Sequence, residues 1–207
     1  MKVSVIKESG YEEALFGIGL SYGITSEYHT VEEIPAHVLN KLHRIAVKLS
    51  KKGGGEDKFL RQMSVWVDVE APLYWWPQMD QYRIGCTTQS ESRMHKLSST
   101  PFTLNRFETS RMLSLGEKIL LDTIKAAEDL RLTHEALKRQ EKLKEAAGVW
   151  QDLICILPES WLQRRIWSAN YAVLRNIIGQ RRGHKLPEWA LFIDAIQQGV
   201  NFPEFLE

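Results

Sequence analysis

Seven side chains able to carry positive charge fall between Ser160 and Pro187: Arg164, Arg165, Arg175, Arg181, Arg182, His184 and Lys185. No acid interrupts them. The whole chain is nearly neutral, with 27 basic against 26 acidic residues and a net charge of +1, so this is a local concentration of charge. Arginine suits a phosphate ligand because its planar fork makes paired, charge-assisted bonds to phosphate oxygens. Asn170 and Arg181 are eleven residues apart, which on a straight helix puts them on one face about 16 Å from each other. A phosphate-bearing ligand could be held along that face. The same pattern equally describes a solvated basic face, or a subunit interface paired with the acidic side of residues 111–145.

A second stretch, Ala71 to Lys96, reads APLYWWPQMDQYRIGCTTQSESRMHK. In it Gln78 precedes Arg83 by five positions, the triplet Gln81-Tyr82-Arg83 is followed by seven residues, and then come Glu91 and, two further on, Arg93. This frame resembles the signature of the flavin-dependent thymidylate synthases. In that family an Ala-Pro strand end leads to a Gln, an Arg-His-Arg triplet, seven residues, then a Ser and an Arg two beyond it. The C-terminal stretch LPESWLQRRIWSANYAVLRNIIGQR resembles the family's last block, with Pro158, Asn170, Asn176 and Arg181 in the expected places. The two blocks, with a weaker match over Gly55 to Ala71, cover Gly55 to Lys96 and Ile154 to Lys185.

The resemblance implies an α/β (α+β) protein with a central sheet and long helices, assembled as a homotetramer whose active sites lie between subunits. It implies reductive methylation of dUMP to dTMP, with FAD as cofactor and NADPH and methylenetetrahydrofolate as co-substrates. Carried across by position, Gln78, Arg93 and Arg181 hold the uridylate, Arg93 and Arg181 being the catalytic candidates. Arg83, Asn170 and Asn176 border the flavin.

The departures from the pattern carry information of their own. On the flavin side a family His is Gln62, and the first two members of the triplet are Gln81 and Tyr82. On the substrate side a Glu is Gln89 and the Ser is Glu91, flanked by Ser90 and Ser92. Sliding the strand by one residue to restore the hydroxyl would turn it to the other face. Two further arginines are Ile154 and Ala172, and a late His is Lys185. Charge-assisted bonds contribute about 1.5 to 3 kcal/mol each, so losing three cationic anchors, at Gln81, Ile154 and Ala172, without replacement would cost orders of magnitude in affinity. Arg164, Arg165, Arg182 and Lys185 are the candidates for compensation. A carboxylate at position 91 repels a phosphate unless a neighbouring arginine, such as Arg93, is re-aimed to pair with it. Two readings follow: a divergent enzyme of this family, or a non-catalytic member that binds a nucleotide or a partner protein.

Composition bounds the remaining classes. With 207 residues and 43% apolar content the chain reads as one domain, residues 1–207. Its charge balance leaves no footprint for bulk nucleic acid. No segment approaches the roughly 20 apolar residues of a membrane span, and no leader is visible, so the expectation is a cytoplasmic protein. Cys86 and Cys155 lack metal-ligand spacing and are expected as buried, reduced thiols; no metal site is expected.

The elements that must position these residues can be read from periodicity. A strand is expected at Lys2 to Ile6 and a helix over Val31 to Lys52, stopped by Gly53-Gly54-Gly55. Met63 to Val69 alternates as a strand ended by Pro72; a short helix follows from Tyr74, and Tyr82 to Thr88 reads as extended. Residues 111–149 carry the longest helical pattern, with His134 on its apolar stripe. From Leu157-Pro158, the spacing of Leu162, Ile166, Ala169, Val173 and Ile177 predicts another helix, and Pro187 opens the last. Trp75 and Trp76 could stack on a flavin or folate ring, but adjacent residues cannot both face one pocket, so at least one is expected in the core.

Overall fold

A computed structural model describes all 207 residues. Strand β1 (Lys2–Ser9) turns into helix α1 (Tyr11–Ser21) through Gly10, whose φ of 84° is left-handed and whose missing side chain leaves room for the Gln62 carbonyl. Helix α2 (Ala36–Ser50) buries Leu42, Ala46 and Leu49. It starts later than its periodicity predicts because Ile34, ahead of Pro35, is extended, as the proline ring requires. The residues from Val31 to Glu33 form a separate 3₁₀ turn closed by a Thr30/Glu33 capping box. Gly53, Gly54 and Gly55 all have positive φ and form the expected turn.

Strand β2 (Ser64–Pro72) shows the period of two: Val65, Val67, Val69 and Ala71 are fully buried, while Trp66, Asp68 and Glu70 are half-buried. Helix α3 (Trp76–Met79), strand β3 (Cys86–Ser90) and helix α4 (Arg93–Ser99) follow. The long helical pattern is two helices, α5 (Ser114–Arg139) and α6 (Leu143–Ile156), and not one. The chain reverses at Glu141, the one non-glycine residue with positive φ, so no glycine or proline announces the break; Gly148, near the end of the expected pattern, lies inside α6.

The largest correction concerns residues 157–177. The first part of that expected helix is strand β4 (Leu162–Asn170), and only then does helix α7 (Tyr171–Arg181) begin, followed by α8 (Glu188–Gly199). The buried side is Gln163, Trp167 and Ala169, on alternate positions, whereas Ile166 is 37% exposed. Polar Gln163 on the buried face hides the alternation from a hydropathy reading. The four strands form one sheet in the order β1-β2-β4-β3, with β3 at an edge. No helix is long and apolar enough to cross a membrane.

Residue contacts divide the chain into two compact units, each built from separated segments. One comprises Met1, Glu70–Gln81 and Ser90–Arg165. Its core gathers Leu73, Leu97, Phe102, Phe107, Leu120, Ile124, Leu153 and Trp161. The rings of Phe102 and Phe107 lie 5.2 and 5.3 Å from Trp161. Helices α5 and α6 pack as a hairpin in which His134 Nδ1 donates to the Ala146 carbonyl at 2.9 Å, a core role. Trp75 and Trp76 are both buried, and Trp76 Nε1 lies 3.2 and 3.3 Å from the Ala71 and Gln163 carbonyls.

The other unit comprises Lys2–Val69, Tyr82–Gln89 and Ile166–Glu207. In it α1 packs on α2 and α8 packs on β1. Arg175 of α7 donates to the Ser50 carbonyl at 2.6 Å and pairs with Asp57, tying α7 to the end of α2 and the glycine turn. Arg175 therefore leaves the pool of phosphate candidates. The cysteines depart from expectation: Cys86, at the start of an edge strand, is half-buried and Cys155, on the outer side of α6, is exposed. Neither forms a disulfide.

Candidate functional site

Between the end of β3 and the start of α4, Glu91 and Ser92 turn the chain so that Ser90, Glu91, Ser92 and Arg93 line one cavity of ≈ 320 Å³ with Gln163 and Arg165. The turn is held by Glu91 N–H donating to the Arg164 carbonyl at 2.9 Å and by Gln163 Nε2 donating to the Glu91 carbonyl at 3.3 Å. The Glu91 carboxylate uses one oxygen: Oε1 accepts from Arg164 N–H at 3.4 Å and lies 3.8 Å from Arg106 Nη2. Arg106 is itself stacked 4.3 Å over the Trp161 ring. The arginine that faces Glu91 is thus Arg106 and not Arg93, and no motif pointed to it.

Arg93 is exposed and makes no hydrogen bond or ion pair. Arg165 is committed by comparison. It donates to Gln163 Oε1 at 3.1 Å and to Asp80 at 2.9 Å, with its guanidinium 4.0 Å over Trp76. Ser90 and Ser92 are exposed, and Ser92, at the cap position of α4, makes no capping bond, leaving both hydroxyls to a ligand. Gln78 is half-buried in α3, while Gln81 and Gln89 are exposed. Gln89 lies on β3.

In the other unit a second cluster forms at the C-terminal end of α7. Arg181 Nε donates to the Tyr82 hydroxyl at 2.8 Å, and that hydroxyl donates to Gln180 Oε1 at 3.0 Å. Gln180 Nε2 then donates to Asn176 Oδ1 at 3.1 Å. The Arg181 guanidinium lies 4.7 Å over Trp189, a distance at which a cation is attracted to the ring face. Its two terminal nitrogens have no partner, so an anion can still take the fork end-on. Trp189 is fully buried on α8, so a core residue also receives this cation.

Asn170 is the N-cap of α7: its Oδ1 accepts from Val173 N–H at 3.0 Å, a structural reason for the residue independent of any ligand. It also lines a cavity of ≈ 340 Å³ with Arg61, Ser64, Trp66, Cys86 and Ser168. Arg61 has no partner and Trp66 is half-buried, so a free cation and an indole border the same space, a donor set that fits a phosphorylated planar ring. Arg83 is exposed. Gln62 borders a separate cavity of ≈ 720 Å³ with Gly17, Tyr22, Gly54 and Phe59. Sequence reasoning missed Arg61, since a lone basic residue before a strand carries no signal.

A third polar chain, Tyr11–His43–Glu204, has the look of a relay. Tyr11 hydroxyl is 3.0 Å from His43 Nδ1, and His43 Nε2 is 3.3 Å from Glu204. Burial, then the nearby Glu204 and Glu12 carboxylates, push the Tyr11 hydroxyl up to about 12, so it is not a nucleophile at neutral pH. Stacked 3.8 Å on Phe202, it is a packing element.

No family model matches the sequence, and no curated relative matches it. The fold is similar to solved structures of flavin-dependent thymidylate synthases. One is the Helicobacter pylori enzyme ThyX complexed with FAD and dUMP, at a TM-score of 0.68 and 16% identity over 100% of this chain and 98% of that one. A second structure of thymidylate synthase X from the same organism, with FAD and dUMP, gives 0.67 and 16% over 100% and 97%. The likeness runs end to end in both directions, and the chain has the fold of the flavin-dependent thymidylate synthases.

Proposed function

We propose that this protein is a divergent flavin-dependent thymidylate synthase that binds dUMP and converts it to dTMP with methylenetetrahydrofolate, FAD and NADPH. The observation that carries the reading is the ≈ 320 Å³ cavity, where the second half of the signature, Glu91 to Arg93, meets Gln163 of the C-terminal block on a chain with this fold. Arg93, with its fork unpaired, is the phosphate anchor, and Ser90 and Ser92 supply hydroxyl donors. Arg181, with two free nitrogens, is the further candidate for holding the uridylate. The Arg61–Trp66–Asn170 cavity is suited to the flavin, with Arg83 and Asn176 as the further flavin-side candidates. When bound, reduced FAD would supply the hydride chemistry and mediate one-carbon delivery. The chain's own work is to hold the nucleotide and keep its anionic groups fixed by pre-aimed cations. A homotetramer belongs to this proposal, and exposed Leu115 and Ile119, one turn apart on α5, support a buried helix face in an assembly.

Two observations favour a second reading, a non-catalytic nucleotide-binding member of the fold. Tyr82, in place of the family His, already occupies Arg181 Nε, and Glu91 adds a negative charge where the family has a hydroxyl. The test is direct. Purified protein supplied with FAD should turn yellow and, with dUMP and both co-substrates, form dTMP. Nucleotide binding by calorimetry without flavin uptake selects the second reading, and no binding of dUMP removes both.

A further inference from the structure

We propose that the Glu91 cavity takes a phosphomonoester in its monoprotonated form, Glu91 Oε2 accepting the P–O–H proton while Arg93 pairs with the charged oxygen. The inference rests on the nucleotide reading and narrows it to a protonation state.

Glu91 Oε1 is engaged by Arg164 N–H and faces Arg106, but Oε2 has no protein partner, is not a buried orphan, and belongs to a side chain on the cavity wall. An ionised carboxylate can only accept hydrogen bonds. A phosphate dianion also only accepts, so the two would meet as like charges with no proton between them. The monoanion has one hydroxyl, and an O–H···O⁻ bond is among the short, strong kind. The second phosphate pKa is near 6, which places the required form within reach of mild acid. The charged groups around the carboxylate agree with this role. Arg106, from the 3₁₀ turn Leu104–Arg106, offsets Glu91 without entering the cavity lining, and Arg165 of β4 is held by Asp80. Arg93 of α4 is left as the free cation. Gln163, Ser90 and Ser92 are neutral donors. His95 of α4 borders a different cavity, with His134 and Trp150.

Two consequences can be read out. If only the monoanion binds, dUMP affinity should fall about 25-fold between pH 5.5 and 7.5, the ratio of monoprotonated fractions for a pKa near 6. A sulfate ester, which has no proton to donate in this range, should bind poorly at every pH.

The experiment is calorimetric titration of the full chain with dUMP at several pH values from 5.5 to 7.5, and with 2′-deoxyuridine 5′-sulfate as the proton-free probe. Glu91→Gln keeps the shape but presents an amide donor, so it should flatten the pH profile, bind dUMP more tightly than the wild type at pH 7.5, and accept the sulfate. A flat wild-type profile, or wild-type affinity for the sulfate equal to that for dUMP at pH 5.5, overturns the proposal while leaving nucleotide binding intact. The same slope in Glu91→Gln assigns the proton to another group and also overturns it. Absence of dUMP binding at every pH in both proteins defeats the nucleotide reading and this one together.

Discussion

Replacing Arg175 with alanine should destabilise the fold without touching nucleotide affinity, although the sequence groups Arg175 with the phosphate candidates. In the structure its fork is spent on the Ser50 carbonyl at 2.6 Å and on the Asp57 carboxylate, and the paired side chains are only 23% and 22% exposed. Two charge-assisted bonds at about 1.5 to 3 kcal/mol each set the upper range, and partial solvent screening lowers it, giving about 3 kcal/mol. The loss includes leaving Asp57 and the last turn of α2 without their partner. For a chain of this length that is a fall in Tm of about 6 to 12 °C. Arg175→Lys keeps the charge but not the fork, and should lose about half as much. Exposed Arg182→Ala should change stability by less than about 0.5 kcal/mol. Urea unfolding followed by tryptophan fluorescence, with the slope compared between variants, gives the stability difference, and dUMP calorimetry gives the binding. A loss below about 1 kcal/mol, or lost dUMP binding at unchanged stability, would refute the assignment of Arg175 to the scaffold.

Three further outcomes are expected. Arg93→Ala and Arg181→Ala should each lower dUMP affinity by roughly tenfold to a hundredfold by calorimetry, whereas Arg139→Ala, whose 80% exposed side chain meets only Glu135, should change nothing. Gln81→Arg combined with Tyr82→His should raise FAD affinity by about one charge-assisted contact, 1.5 to 3 kcal/mol, because an anchor is added and Arg181 Nε is released; flavin fluorescence titration reads it, and no gain would place the phosphates elsewhere. The Glu128 carboxylate is held below the usual glutamate range by hydrogen bonds from Arg131 and from the Phe102 backbone. A lowered folded-state pKa gives stability that is present above the unfolded glutamate range and disappears as pH falls through the folded value. Thermal scans between pH 6 and 3 should therefore show a component that Glu128→Gln abolishes.

The sequence by itself determined the segments whose physics is local. Alternating valines from Val65 to Val69 marked a half-covered strand and three glycines marked a turn, and both stand where the pattern put them. The N-terminal helix α1 went unread, since YEEALFGIGL mixes two glycines into an apolar run without a clean period. Residues 162–170 were misread because burial there was decided by partners far away in sequence. Gln163 is tolerated inside only because the Glu91 carbonyl and Arg165 satisfy it, and Arg165 can lie along the strand only because Trp76 and Asp80 receive it. The same logic sorted the arginines. Composition showed a basic cluster, but which cations are free is a question of which carboxylates and carbonyls the fold brings to them. Asp57 and Ser50 claim Arg175, Asp80 claims Arg165, and Arg93 and the end of Arg181 are left over. Charge is written in the sequence; whether it is spent on the scaffold or kept for a ligand is decided by tertiary neighbours, because a hydrogen bond acts over about 3 Å and takes no account of separation along the chain.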